Sequence, residues 1–267
     1  MPFIKEMPEV KGKSQCDKHG EYEHRYEELH HCGSIMVSEL CPKCAKELKE
    51  EEKRKEADEQ RRLVKERIER TKEFCGIPRR YINSTFDSFE CTTESQNTAK
   101  EKVQRWLSKF KEDIASCNSV MITGKVGTGK TLLASCILND LIVDPWVAMH
   151  NRVRANEYEI IKLIDMVRSL KETWKRDSEK TERELIKHYS TLDLLIIDEV
   201  GMGFESDTEK LFIFDVIDGR YQNSLPTILI SNLNAKGISD SIGERAVDRL
   251  RDGGGVLIGC DWESFRK

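Results

Sequence analysis

A glycine-rich stretch, GKVGTGKT, runs from Gly124 to Thr131 and fits the pattern G-x-x-x-x-G-K-[ST] in full. An apolar segment with strand character precedes it, and a segment with helix character follows it. Glycines let such a loop curl until successive backbone N–H groups face one phosphate, and the helix N-terminus adds positive potential. The pattern therefore predicts a nucleoside triphosphate site. Its predicted binding residues are Gly124, Val126, Gly127, Thr128, Gly129, Lys130, Thr131 and Leu132.

Two acidic residues, Asp198 and Glu199, end a later apolar segment, LLIIDE. We expect Lys130 to bridge the β- and γ-phosphates, and the Thr131 hydroxyl and Asp198 to hold Mg²⁺. Glu199 is placed to orient and deprotonate an attacking water. A nucleotide kinase would need an acceptor pocket and an arginine-rich lid, and the sequence has no clear lid insertion. The residues therefore favour nucleotide hydrolysis.

Two further features would complete a hydrolytic site. Asn232 ends the apolar segment TILISN, where its amide would reach the γ-phosphate or the lytic water; the alternative is that it caps the following turn. The stretch GERAVDRLRDGG carries Arg245, Arg249 and Arg251 on a predicted short helix. These arginines form a solvated face, or one of them acts on the site of a neighbouring copy. The predicted nucleotide site has few cationic groups besides Lys130 to stabilise the charge that develops during hydrolysis, which favours the second interpretation for Arg249.

Two short pairs near the start of the chain have metal-ligand spacing. CDKH contains Cys16 and His19, and CPKC contains Cys41 and Cys44. Two intervening residues let both members of a pair reach one tetrahedral ion, so the four predict a closed structural Zn²⁺ site. Free cysteines are the alternative. Competing ligands nearby are His24, His30, His31 and Cys32.

Composition divides the chain into three predicted parts: a metal-binding module at 1–48, a charged helical linker at 49–75 and an ATPase domain at 76–267. The linker is dense in Glu, Lys and Arg and contains neither glycine nor proline, which favours a helix with many i,i+4 ion pairs. It is either a solvated spacer or a partner-binding helix that uses Leu63, Val64 and Ile68.

The segments that surround the predicted site alternate between strand and helix. VMITG, YEIIK, LLIIDEV, TILIS and VLIGC read as apolar strands, and KTLLASCILNDLI, LIDMVRSLKETW and TEKLFIFDVIDGRYQ as helices. Continuous apolar strands between helices indicate an α/β fold with a parallel sheet that is covered on both faces.

Charge and cysteine content limit the classes of protein to consider. The net charge of −4 means that any nucleic-acid contact must come from a local patch. No apolar run approaches the roughly 20 residues that span a bilayer, and the first residues lack an apolar signal region. The nine cysteines are an odd number, and several lie in segments that read as core, so they fit a reducing compartment better than a disulfide framework. We therefore expect a cytoplasmic protein without a membrane partner.

Six ordered stretches together resemble the DnaC-type replicative helicase loaders, AAA+ ATPases related to the IstB-type transposition helpers. They are GIPRRY…TFDSF, GKVGTGKT, LLIIDEVG, ISNLN, GERAVDRLR and DWESFR, within about residues 75–267. The resemblance implies an AAA+ core with a five-stranded sheet of order 5-1-4-3-2 and ATP as the nucleotide. It also implies partners: a DnaB-type hexameric replicative helicase bound through the N-terminal region, single-stranded DNA, and further copies side by side on the helicase. The N-terminal region looks like that of zinc-bearing phage or prophage members.

The same resemblance implies roles for individual residues. Arg249 matches the arginine finger that reaches the ATP of the next subunit, and Arg266 matches a nucleotide sensor within one subunit. Lys171 and Trp174 match single-stranded DNA contacts. Lys175 joins them on physical grounds, because an aromatic face with flanking cations suits stacked bases and phosphates. The alternative is that Trp174 packs in the core.

Two alternative functions stay open from the sequence. One is a transposition helper that assembles on duplex DNA, and the other is an adaptor in which ATP is only a structural ligand. Glu199 argues against the adaptor, which needs no base. The zinc module and the linker favour the loader over the helper. The long segment VDPWVAMHNRVRANE, residues 143–157, has no predicted function.

Overall fold

The computed structural model describes residues 12–23, 26–28, 35–37, 40–143, 157–201, 203 and 206–265. The chain forms two compact units, Met1–Lys65 and Glu66–Lys267. The boundary falls within the predicted linker. The assignment of separate functions to 1–48, 49–75 and 76–267 remains a prediction.

The first unit contains two small antiparallel sheets. Strands β1 (Lys13–Cys16) and β2 (Gly20–Glu23) form a hairpin, and β3 (Tyr26–Glu28) pairs with β4 (Ile35–Val37). Two potential metal ligands lie at the turn of this hairpin, since Cys16 ends β1 and His19 directly precedes β2. Such short strands bury little apolar surface, so a bound metal ion would add stability that the small core of this unit cannot supply.

Helix α1 (Pro42–Phe74) begins in the first unit and ends in the second. Proline suits its first position, and ion pairs such as Lys46–Glu50 and Glu51–Lys55 follow its surface. The helix predicted for the charged linker is therefore confirmed. In its last turns Ile68 packs against the core of the second unit, and the ammonium of Lys72 donates to the Ile82 carbonyl at 2.9 Å.

The second unit is built on a parallel five-stranded sheet. Its strands are β5 (Val120–Gly124), β6 (Tyr158–Lys162), β7 (Leu194–Val200), β8 (Thr227–Ser231) and β9 (Val256–Cys260). They lie in the order β6-β7-β8-β5-β9, and each pair is parallel. Numbered from β5, this is the predicted order 5-1-4-3-2, which is confirmed. It brings the carboxyl ends of β5, β7 and β8 together at one edge.

Helices cover both faces of this sheet. They are α2 (Glu94–Glu112), α3 (Lys130–Val143), α4 (Leu163–Glu172), α5 (Glu182–Thr191), α6 (Asp207–Gln222), α7 (Ala235–Ile242) and α8 (Glu244–Arg251). One core layer packs α2 and α3 against the sheet, and the other packs α4 to α8 against the opposite face. Helices α2 and α5 were not predicted from the sequence, although each begins with a capping box, at Thr93 and Thr181.

The open edge of β6 is covered by the chain that follows α1. The Ile160 N–H donates to the Cys75 carbonyl at 2.8 Å. Gly76 has a φ of 72°, and a side chain there would collide with the Ile160 carbonyl. Glycine is therefore required for this close approach.

Among the helices that the structure describes, none combines the length and apolar character of a membrane span.

Candidate nucleotide-binding site

The glycine-rich loop joins β5 to α3, as the sequence predicts. Gly127 and Gly129 both have positive φ, at 82° and 85°, which lets the loop curl. The Lys130 ammonium is buried inside it and donates to the Gly124 carbonyl at 2.8 Å and to the Lys125 carbonyl at 2.5 Å. The lysine is thus held at the loop by backbone oxygens that a bound phosphate would replace as its partners.

Thr131 and Asp198 are brought together although they are distant in the chain. The Thr131 hydroxyl donates to Asp198 Oδ2 at 2.8 Å, and the Glu199 N–H donates to Asp198 Oδ1 at 2.7 Å. Burial raises the pKa of the Asp198 carboxyl, and the hydrogen bond from Thr131 opposes that shift. A hydroxyl and a carboxylate this close are suitable ligands for Mg²⁺.

Glu199 has a backbone conformation that is rare for its residue type. Its φ is 58°, and the pairing of β7 with β8 becomes irregular between Ile197 and Val200. A non-glycine residue in this left-handed region costs on the order of 1 kcal/mol. Such strain concentrates at functional sites, where it aims a side chain that a regular strand would direct elsewhere.

Lys162 is a neighbour of Glu199 that the sequence analysis missed. Its ammonium lies 3.0 Å from Glu199 Oε2, and this contact raises the pKa of Lys162. Lys162 ends β6, in register with Asp198 on β7. The sequence shows that Lys162 ends an apolar segment, but only the order of the strands in the folded sheet places it beside Glu199. The carboxylate of Glu199 therefore has a cationic partner within its own subunit.

The loop and the acids open into a cavity of about 560 Å³. Asn232 lines it beside Asp198 and Glu199. Asn232 does not cap the helix that follows it. The N-cap of α7 is Asn234, whose side chain accepts a hydrogen bond from the Gly237 N–H at 2.9 Å. Asn232 is thus left facing the site.

The far wall of the cavity comes from a segment to which the sequence analysis gave no role. Residues Arg80, Tyr81, Ser88, Phe89 and Glu90 line it. They belong to GIPRRY…TFDSF, one of the six stretches that carry the resemblance. Phe265 closes the same side, with its ring 5.6 Å from that of Phe89. The predicted sensor Arg266 follows immediately and lies outside the described residues.

Arg249 is not brought to the nucleotide cavity of its own subunit. Its Nε donates to Asp218 Oδ1 at 2.8 Å, and its guanidinium lies over the Tyr221 ring at 4.6 Å. It lines a smaller cavity together with Ser119 and Thr227, which lie where β5 and β8 begin. The phosphate loop follows the other end of β5, which at about 3.3 Å per residue is roughly 17 Å away.

The predicted DNA contacts lie at the end of α4 and just beyond it. Trp174 is 60% exposed, so it is not a core residue, although its ring approaches that of Phe212 at 5.8 Å. Its indole N–H donates to Glu182 at 2.9 Å. Lys171 pairs with Glu209 at 2.7 Å, and Lys175 lies 3.6 Å from Glu172. The two lysines thus have acidic partners within the protein.

The predicted metal ligands form one cluster in the first unit. Nδ1 of His19 lies 3.2 Å from the Cys44 sulfur, 3.4 Å from that of Cys41 and 3.8 Å from that of Cys16. The Cys16 and Cys44 sulfurs are 3.5 Å apart. Ligands around a tetrahedral Zn²⁺ are about 3.3–3.8 Å from one another, given the usual Zn–S and Zn–N lengths. The four donor atoms therefore fit zinc.

The electrostatics of this cluster also fit a bound cation. Backbone N–H groups of Lys18 and His19 lower the pKa of the Cys16 thiol to about 6, which favours its thiolate. The neighbouring thiols of Cys41 and Cys16 raise the pKa of Cys44 to about 12. A divalent cation bound among these sulfurs would favour the thiolate form of all three cysteines, including Cys44. The competing ligands His24, His30, His31 and Cys32 lie outside the described residues.

Comparison with known proteins decides the family. A profile described as "IstB-like ATP binding protein" matches residues 52–250. A replicative helicase loader DnaC from Buchnera aphidicola (subspecies Acyrthosiphon pisum) is 34% identical over 192 residues, which are 72% of this chain and 73% of that protein. The chain belongs to the IstB-like ATP-binding protein family. The resemblance to DnaC-type loaders and the prediction of an ATPase are therefore confirmed.

Further similarities agree with this family. The replicative helicase loader DnaC of Escherichia coli K12 is 32% identical over 200 residues, covering 75% of this chain and 76% of that protein. A solved structure titled as that of the DnaC helicase loader superposes with a TM-score of 0.55 at 20% identity, over 68% of this chain and 99% of the other. At that identity the superposition supports the fold alone, and the predicted AAA+ architecture is confirmed.

Proposed function

We propose that this protein uses ATP to load a replicative DNA helicase onto single-stranded DNA. The observation that carries the proposal is the similarity to proteins named replicative helicase loaders, at 32–34% identity over about three quarters of the chain. The family match over residues 52–250 includes the phosphate loop, Asp198, Glu199 and Asn232. The helicase partner is expected to be a DnaB-type hexamer.

The geometry at the sheet edge supports a hydrolytic role for four residues. Lys130 would neutralise charge on the β- and γ-phosphates, and Glu199 would accept a proton from the attacking water. Asn232 would orient the γ-phosphate or that water. Mg²⁺, held by Thr131 and Asp198, would supply charge neutralisation at the phosphates. Arg266 is proposed as a sensor from the resemblance alone.

We infer that the site is completed by a second copy. Arg249 lies at the opposite end of β5 from its own phosphate loop, so its guanidinium cannot approach that subunit's γ-phosphate. Its exposed fraction of 37% leaves it accessible to a neighbour. Side-by-side copies would place Arg249 of one subunit at the ATP of the next, where arginine fingers contribute about 10³ to 10⁵ in rate.

The remaining sites are proposed with the partners that suit their chemistry. Cys16, His19, Cys41 and Cys44 would hold Zn²⁺, which would stabilise the first unit as a helicase-binding module. Trp174, with Lys171 and Lys175, would contact single-stranded DNA. The exposed indole face supports stacking, and DNA phosphates would replace Glu209 and Glu172 as the partners of the lysines.

A loading assay tests the proposed function. The protein is mixed with the DnaB-type helicase of its host and with circular single-stranded DNA coated by single-strand binding protein, and helicase bound to DNA is then counted. We expect loading that requires ATP and is lost in Lys130→Ala. Stable ATP-dependent assembly on duplex DNA without helicase binding would favour the transposition helper, the alternative that the sequence left open.

A further inference from the structure

The end of the chain contacts the back of the phosphate loop. The Phe265 N–H donates to the Gly127 carbonyl at 2.9 Å. The indole N–H of Trp262 donates to the Thr128 carbonyl at 3.1 Å, and Trp262 is 7% exposed. These two contacts fall on consecutive peptide groups of the loop. We call residues 261–265 the C-terminal strap.

Peptide geometry gives these contacts a consequence for phosphate binding. In a trans peptide the C=O and the following N–H point in opposite directions, because the group is planar. When the strap holds the Gly127 carbonyl, it turns the Thr128 N–H to the opposite side. Holding the Thr128 carbonyl does the same for the Gly129 N–H. These are the N–H groups by which such loops bind phosphate.

The surroundings show that the strap is fixed in place. The Trp262 ring meets the buried Phe89 edge-on, with centroids 6.2 Å apart. A side-chain carbon at Gly129 would lie 2.8 Å from a ring carbon of Phe89, which is a collision, and 3.2 Å from one of Phe265, which is a tight contact. Thr128 is fully buried, and its hydroxyl donates to the Lys125 carbonyl at 2.9 Å. The loop is therefore held from its back by side chains distant in sequence.

We propose that Trp262 is a positioning residue for nucleotide binding. Its indole N–H fixes the Thr128 peptide so that the Gly129 N–H faces the β-phosphate before ATP arrives. Such preorganisation strengthens binding because less conformational freedom is lost on association. This inference rests on nucleotide binding and does not depend on helicase loading.

The chain offers a matched pair of substitutions for the test. Trp106 is also a buried tryptophan whose indole N–H donates to a backbone carbonyl, that of Asn118 at 2.7 Å, and it does not line the nucleotide cavity. Trp262→Phe and Trp106→Phe each remove one such hydrogen bond and keep an aromatic ring. Their losses of folding stability should therefore be similar, whereas only the first touches the loop.

Titration of the full-length variants with a fluorescent ATP analogue and with ADP gives the decisive comparison. We expect Trp262→Phe to raise Kd about tenfold for both nucleotides, since both carry the β-phosphate, with kcat changed much less than KM. Trp106→Phe should leave Kd within about twofold. Equal Kd values for the parent and Trp262→Phe would overturn the inference. Failure of the parent to bind ATP would instead refute the nucleotide site itself.

A second pair keeps the test decisive if Trp262→Phe does not fold. Phe265 is 42% exposed, so its substitution should be tolerated. Phe265→Pro removes the N–H that the Gly127 carbonyl accepts from, whereas Phe265→Ala keeps that N–H and removes only the ring. We expect Phe265→Pro to weaken ADP binding several-fold more than Phe265→Ala. Equal weakening would mean that the strap acts through its rings and not by orienting the peptide groups.

Discussion

At the scale of single residues, the site contains two acidic residues, Asp198 and Glu199, whose positions lower the stability of the folded protein. Asp198 is buried, and Glu199 adopts a left-handed backbone conformation beside Lys162. Neither feature stabilises the protein without ligand. Both place carboxylate oxygens at the sheet edge where phosphate and Mg²⁺ would bind, which is typical of sites in which stability is sacrificed for function.

Replacing Asp198 should stabilise the protein without ligand. Burial raises the pKa of Asp198 in the folded state, so the folded state of the parent is favoured at low pH and loses that advantage as pH rises through the folded pKa. Asp198→Asn has no charge to bury, and its amide still has a partner in the Thr131 hydroxyl. Thermal unfolding from pH 4 to pH 8 should show a gain in Tm that grows with pH, together with lost ATPase activity. A variant less stable than the parent at pH 8 would contradict this.

At the scale of secondary structure, one buried arginine connects three elements. Arg220 on α6 is fully buried, and its guanidinium donates to the carbonyls of Tyr189, Leu192 and Pro226 at 2.6–2.7 Å. It also donates to the Thr227 hydroxyl at 3.0 Å. Burial lowers the pKa of Arg220 to about 9, so the side chain is still charged at neutral pH. It fixes the starts of β7 and β8 relative to α6; β7 carries Asp198 and Glu199, and Asn232 follows the end of β8.

Removal of this arginine should be costly. Arg220→Met removes the guanidinium donors from three backbone carbonyls, and we expect the free energy of unfolding to fall by on the order of 3 kcal/mol. Denaturant unfolding measures it. Arg168→Met is the control, because Arg168 is exposed and, among the residues that the structure describes, its one ion pair is with Asp165 at 3.4 Å, so its change should stay within about 0.5 kcal/mol. Similar losses in both variants would refute the bridging role.

At the scale of the whole molecule, the proposed role of Arg249 predicts that one chain alone has an incomplete site. Arg249→Ala should bind ATP as the parent does, since the arginine is remote from its own phosphate loop, but hydrolyse it at least 10³-fold more slowly. Glu199→Gln should show the same pattern because it lacks the base. Both variants are read by ATPase assay in the presence of single-stranded DNA and helicase.

Mixing these two inactive variants tests action between copies. An interface that pairs the intact base of Arg249→Ala with the intact arginine of Glu199→Gln has a complete site, so the mixture should recover part of the parental activity. Each variant alone should stay inactive, because all of its interfaces lack either the base or the arginine. If the mixture stays inactive while both variants still assemble on the helicase, Arg249 does not act in trans.

Metal removal should separate the two units by function. Cys41→Ser removes one ligand from the cluster, and we expect the zinc content to fall from one ion per chain to much less than one, with loss of helicase binding. ATP affinity should stay within about twofold, because the nucleotide site belongs to the second unit. Cys117→Ser is the control, since Cys117 is a buried thiol of the second unit. Equal zinc content in the parent and Cys41→Ser would exclude this cluster as the metal site.

The sequence by itself determined the features whose chemistry is local. The phosphate loop, the Asp198–Glu199 pair and the Cys16, His19, Cys41 and Cys44 quartet were predictable, because glycine placement, strand-end acids and ligand spacing are properties of short segments. The α/β fold followed from apolar strands alternating with helices, and the strand order followed from the family resemblance. In contrast, α2 and α5 were missed, although their N-terminal capping boxes marked where they begin.

Only the tertiary structure decided which distant residues share a site. The parallel strands place Lys162 beside Glu199, and β5 separates Arg249 from its own phosphate loop. The sheet also brings Trp262 to the back of the loop at Thr128. Periodicity and spacing report what one segment can do, but they carry no distance between segments. Those distances are set by strand order and by the packing of helices on both faces, which exist only once the chain has folded.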